Sequence, residues 1–300
     1  MPNTGVVIAL LIAGFVGSET YAQQAPAAVI GDPAVDNDYP ATLSILTIPS
    51  HGVDLDAFFY LASGPGQHGT VVLLHGLPGY ELNEDLAQSI RRAGWNVLLF
   101  HYRGTWGVGG AFSLSSAIDD TLEVIHFLRQ PSTLTKYRID PQRLVLIGHS
   151  FGGFLAGYAS RNDADLWGVA IISATNLGTM AADPKQREAR LRRWESQLHP
   201  VHGATASDLF REAEGHGRDW DYTFWAEKLC HRSLLLVEAE DQNRGDMQAL
   251  AASMREKHCT ALEQRAVPTD HSFSDHRIAL QTIVVEWLNN LRSRPKPDPD

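Results

Sequence analysis

Three hundred residues, 44% of them hydrophobic and 20% charged, suffice for one large core or at most two small ones and exclude a disordered chain. The formal net charge of −10 is uneven: no Lys or Arg precedes Arg91, while nine acidic residues do. A nucleic-acid binder carries a basic face or stripe, and none is visible; the basic string "KQREARLRR" (185–193) reads as a solvated helix face.

In chain order, residues 1–22, "MPNTGVVIALLIAGFVGSETYA", have the outline of a secretory signal. The apolar run 6–17 is too short to span a membrane, and Thr20 and Ala22 supply small residues at the −3 and −1 positions of a cleavage site. The positive n-region is missing, so an upstream start codon or an uncleaved anchor remains an alternative. No cysteine lies near the cleavage point, which argues against a lipoprotein. The expectation is export to the periplasm or the medium after cleavage near Ala22, with no stable membrane span. Residues 23–39 read as an extended lead-in, and 293–300, "SRPKPDPD", as a disordered tail.

Between these ends the chain alternates. "TLSILTI" and "DAFFYLA" predict a strand pair joined by a turn at 49–52. Further strands are predicted at 70–76, 95–102, 143–149, 167–173 and 233–239, where the apolar runs are nearly continuous, as in strands buried on both faces of a parallel sheet. The last, "ALEQRAV" at 261–267, alternates as an edge strand does. Helical patterns fall at 83–93, 115–129, 151–162, 246–257 and 274–291. This order predicts an α/β fold, a mostly parallel eight-stranded sheet with helices on both faces. Residues 174–229 break the rhythm with helical patches and six aromatics, among them Trp220, Phe224 and Trp225, and read as a cap inserted into a domain spanning 40–292.

"RLVLIGHSFGG" (143–153) places a serine at the abrupt end of a buried strand and the start of a helix. That is the setting of a nucleophile elbow: glycines permit the tight turn, and Ser150 stands at a helix N-terminus that favours developing negative charge. A serine hydroxyl needs a base and an orienting carboxylate, which follow in the chain order serine, acid, histidine. The acid is expected after the strand "SLLLVEA", where "EAEDQN" offers Asp241, with Glu240 in reserve; Glu238 falls within the strand. The histidine is expected after the last strand, at His271; His276 is placed on the C-terminal helix. An oxyanion needs two preset donors. The N–H of Phe151 is one, and the string His75-Gly76-Leu77-Pro78-Gly79 offers Leu77 as the other, since Pro78 has no N–H; the same string is also an ordinary Pro-Gly turn. His75, His101 and His149 end strands nearby, but no HxH or HExxH spacing occurs, so no metal is expected, and no cofactor is implied because a serine, acid and histidine complete the chemistry by themselves.

"HGLPG", "GHSFGG", "EAED" and "DHSF" together resemble the α/β-hydrolase superfamily over residues 70–291. "HYRGTWGVGG" and "YRIDPQRLVLIGHSFGG" are similar to the catalytic domain of prolyl oligopeptidases and dipeptidyl peptidases, without a propeller ahead of it. "VEAEDQN" departs from the Gly-x-x-Asp usual at the acid. The resemblance implies a serine hydrolase with Ser150, Asp241 and His271 as its triad. With no propeller to gate peptides and no obvious acidic pair in the cap to hold a peptide N-terminus, a small-molecule ester or amide is the expected substrate. A peptidase for short peptides is the alternative, and a catalytically silent binding fold a remote one. Oligomeric state leaves no mark in the sequence. In a hydrolase sheet Cys230 and Cys259 precede neighbouring parallel strands, within the reach of a disulfide, and export would supply the oxidising compartment.

Overall fold

The computed structural model describes residues 25–180 and 184–293. The expected signal at 1–22 and the tail from residue 294 lie outside them. The lead-in is not wholly extended: Ala27–Ile30 forms one helical turn, α1, between Pro26 and Gly31. Arg92 fixes it by donating to the Ala28 carbonyl at 2.6 Å.

β1 (Thr42–Ser50) and β2 (Val53–Leu61) pair antiparallel. Their two-residue turn places His51 at φ 47° and Gly52 at φ 81°, the left-handed pair that matches strand twist in a tight hairpin. β3 (His68–Leu74), α2 (Glu84–Arg92), β4 (Asn96–Phe100) and α3 (Leu114–Leu128) follow. A short helix not expected from the sequence, α4 (Pro131–Lys136), opens with Pro131, whose missing N–H costs nothing at the first helical position. Then come β5 (Ile139–His149), α5 (Phe151–Ser160) and β6 (Gly168–Ile172). The excursion before the next strand holds α6 (Pro184–Gln197), α7 (Ala206–His216), two 3₁₀ turns and α8 (Ala226–Leu229). β7 (Ser233–Glu238), α9 (Arg244–Glu256), β8 (Leu262–Ala266) and α10 (Arg277–Ser293) complete the chain.

The eight strands form one sheet in the order β1-β2-β4-β3-β5-β6-β7-β8, with only β2 reversed. Alternate residues of each central strand feed opposite layers. Val72, Leu98, Leu146 and Leu236 pack toward α3, α5 and α9, whereas Val71, Val97, Val145 and Leu235 pack toward α2 and α10. Burial on both faces is why these strands read as unbroken apolar runs.

Two boundaries differ from expectation. α10 starts at Arg277, so His276 precedes it, because Asp270 Oδ1 accepts the amides of Ser272 (3.1 Å) and Ser274 (2.9 Å) and holds the segment as turns. α10 also runs on to Ser293, one residue into the expected tail. The cap is tied down by backbone. Trp106 N–H donates to Pro200 O (3.0 Å) and Phe112 N–H to His202 O (2.8 Å), while Glu212 accepts the amides of Leu114 and Ser115 at 2.8 Å each. The glycine-rich loop between β4 and α3 is thus the seat of the cap.

Candidate active site

β5 ends at His149 and α5 starts at Phe151, which leaves Ser150 at φ 58°, ψ −120°. A β-carbon at Gly148 would lie 1.9 Å from Gly152 O, and one at Gly152 2.1 Å from Leu74 O. No side chain fits at either position, so the glycines are what allow the strand to reverse into the helix and lift the serine out at the sheet's carboxyl edge. Ser150 N–H donates to Ile172 O at 2.9 Å and pins the bend to the neighbouring strand.

His271 arrives from the loop after β8 and Asp241 from the loop after β7. Ser150 Oγ lies 3.0 Å from His271 Nε2, and His271 Nδ1 lies 2.5 Å from Asp241 Oδ2. Nδ1–H therefore donates to the carboxylate and leaves Nε2 free to accept the serine hydroxyl. Asp241 is nearly buried, its side chain 4% exposed. Burial alone would raise its pKa, but hydrogen bonds from His271 and Ser173 outweigh that and hold it below the usual carboxylate value. Glu240 is exposed and directs its carboxylate to Arg244, 3.5 Å away, not to His271.

Ser173, which no sequence motif marks, follows β6 and donates through Oγ to Asp241 Oδ2. It sits at φ 42°, with its N–H on Val237 O at 2.8 Å. Asn243 extends this support, its side chain donating to Ser173 O at 2.9 Å and its own N–H to Asp241 Oδ1 at 2.8 Å. His149 donates from Nε2 to the His271 carbonyl at 2.7 Å, and burial lowers its pKa to about 3. His75 is likewise lowered by burial to about 3 and donates from Nδ1 to Gly76 O at 2.7 Å. Both are neutral hydrogen-bond donors that stiffen the site. Among the described residues no group of three or more His, Cys, Asp or Glu could hold a metal ion.

The amides of Leu77 and Phe151 have no acceptor among the described residues. Phe151 opens α5, where helix amides lack intrahelical partners. The loop carrying Leu77 is braced on both sides, by Tyr102 Oη donating to His75 O (2.9 Å) and Trp106 Nε1 to Pro78 O (2.6 Å).

A cavity of about 440 Å³ opens at Ser150 and His271, bounded by Thr175, Met180, Trp194 and Asn243. A second, of about 170 Å³, lies against Gly76, Pro78 and Gly79 and shares Ser150, His271 and Leu77 with the first. One expectation needs correction here. The basic stretch 185–193 is not simply solvated: α6 turns Ala189, Arg190, Arg193, Trp194 and Gln197, one face at i, i+4 spacing, into the larger cavity. Nor do Trp220, Phe224 or Trp225 border it. Trp220 and Trp225 are buried against Phe154, with ring centroids 5.7 and 5.3 Å away, and Phe224 faces solvent.

Residues 71–280 match the model of the alpha/beta hydrolase family. Among curated proteins, "Uncharacterized protein YfhR" of Escherichia coli K12 is 33% identical over 106 residues, 34% of this chain and 36% of its own length. The chain thus matches little more than a third of that relative. Among solved structures, brefeldin A esterase, described as a bacterial homologue of human hormone-sensitive lipase, superposes with a TM-score of 0.63 at 18% identity, over 89% of this chain and 82% of that one. An esterase of Pyrobaculum calidifontis gives 0.60 at 15%, over 85% of both chains. An acylaminoacyl peptidase of Pyrococcus horikoshii gives 0.63 at 16%, over 86% of this chain and 43% of that one. At such identities these structures share the fold. Sheet order, elbow and family match agree: the chain belongs to the alpha/beta hydrolase family.

Proposed function

We propose that this chain is a serine hydrolase that cleaves carboxylic ester or small amide bonds through an acyl-enzyme. The observation that carries this is the unbroken line from Ser150 Oγ through His271 to Asp241, at 3.0 and 2.5 Å. His271 Nε2 takes the hydroxyl proton as Ser150 Oγ bonds to the substrate carbonyl carbon. The resulting oxyanion is held by the N–H groups of Leu77 and Phe151, which are preset and need no reorganisation. Collapse breaks the bond to the leaving alcohol or amine, which receives the proton from His271. Water then repeats the sequence on the acyl group, releasing the acid and restoring Ser150. Asp241 keeps the imidazole in the required tautomer throughout.

The fold shared with an acylaminoacyl peptidase makes short peptides the second reading. Esters are favoured because Arg190 and Arg193 border the larger cavity, where the ammonium of a free peptide terminus would meet like charge. We also propose export to an oxidising compartment, supported by the bridge between Cys230 and Cys259.

The test pairs a fluorophosphonate probe with matched p-nitrophenyl esters and peptidyl p-nitroanilides. Ser150→Ala is expected to abolish labelling and leave only the roughly 10³–10⁴-fold residual over water that binding and an oxyanion hole supply. Full labelling of that variant overturns the mechanism. Faster turnover of the anilides passes the lead to the peptidase reading.

A further inference from the structure

The cations of α6 differ in how they are satisfied. Arg187 pairs with Glu214 at 2.9 Å, Arg192 with Glu188, and Arg190 donates to Met180 O at 2.9 Å. Arg193 alone among these has no carboxylate or hydrogen-bond acceptor for its guanidinium within the described residues. It also borders both cavities, which meet at Ser150 and His271. The helix face toward the nucleophile therefore presents an unneutralised, planar donor to whatever occupies the site, on a chain whose net charge is −10. A guanidinium in that position matches a carboxylate with two parallel hydrogen bonds and loses nothing from a protein partner in doing so.

We propose that Arg193 is a specificity determinant and that the preferred substrate carries a carboxylate a few bonds from the scissile carbonyl, as in the half-ester of a dicarboxylic acid. This rests on the hydrolase reading above and names its substrate class. Because Arg193 borders both cavities, the carboxylate can belong to the acyl part or to the alcohol part, and the test separates the two.

Turnover of 4-nitrophenyl glutarate half-ester is compared with that of 4-nitrophenyl valerate for the acyl side, and 4-carboxyphenyl butyrate with phenyl butyrate for the alcohol side. The wild-type chain is expected to favour the anionic member of at least one pair, less so as salt rises. Arg193→Gln is expected to lower that anionic-to-neutral ratio of kcat/KM by about tenfold or more, the change lying mainly in KM. Arg193→Lys retains part of the preference, and Arg192→Gln, outside the cavities, leaves the ratio as it was. Calorimetric titration of the same esters into Ser150→Ala reads the preference without turnover, so absence of chemistry overturns only the hydrolase reading. Equal ratios in wild type and Arg193→Gln, or an equal fall in Arg192→Gln, overturn the role of Arg193.

Discussion

At Asp241 two effects oppose one another. Burial raises the carboxyl pKa, and the donors His271 and Ser173 lower it by more, so the carboxylate form is favoured. That fixes the proton on His271 Nδ1 and leaves Nε2 basic toward Ser150. Asp241→Asn inverts this, since an amide can present a donor to Nδ1, and on the order of a 10⁴-fold loss in kcat is expected. Glu240→Gln is expected to stay close to wild type, its carboxylate being exposed and turned to Arg244. Steady-state kinetics of the pair decides it, and a damaging Glu240→Gln beside a mild Asp241→Asn would reverse the roles. Ser150, Asp241 and His271 were legible in the sequence as candidates because each follows closely on a recognisable strand. Ser173 was not, because a serine after a strand has no distinguishing pattern. Its place comes from the β6–β7 register, in which Ile172 pairs with Val237 and the next residue faces the acid's loop.

Among the elements, every strand was visible, the central ones as apolar runs because they are buried on both faces and the edge strands by alternation because one face is exposed. The cap was visible only as an interruption. Its helices bury one stripe each, so sequence periodicity does not say whether an aromatic faces the body or the cavity. Trp220 and Trp225 face the body, where they pack on Phe154, while Trp194 lies between Phe210 and the cavity. Trp220→Ala is expected to lower stability by about 3–5 kcal/mol, as truncation of a buried Trp does, with ratios among acyl chain lengths unchanged. Trp194→Leu is expected to cost less stability and to shift those ratios toward longer acyl groups. Urea melts beside an ester chain-length series distinguish them, and a selectivity change confined to Trp220→Ala contradicts the placement.

Across the whole molecule, the proposed catalytic residues lie at the carboxyl edge of the parallel strands and the covalent reinforcement at the opposite edge. Cys230 and Cys259 precede β7 and β8, with Cα atoms 4.9 Å apart and a sequence separation of 29 residues. The loop they close contains β7, Asp241 and α9, so the bridge restrains the unit that delivers the acid to His271. In the chain-entropy view a loop of that length contributes about 3–4 kcal/mol, a large share of the roughly 5–15 kcal/mol by which domains are stable. A reducing compartment would forfeit that contribution. The full chain recovered from periplasm or medium is therefore expected to begin after Ala22 and to take up no iodoacetamide when denatured without reductant. The Cys230→Ser, Cys259→Ser double variant is expected to unfold at a lower urea midpoint by the corresponding free energy. If the recovered protein keeps residues 1–22 and both thiols alkylate, export and the oxidised state fail together. If the thiols are paired but the double variant is as stable as wild type, the bridge is present without the stabilising role assigned to it.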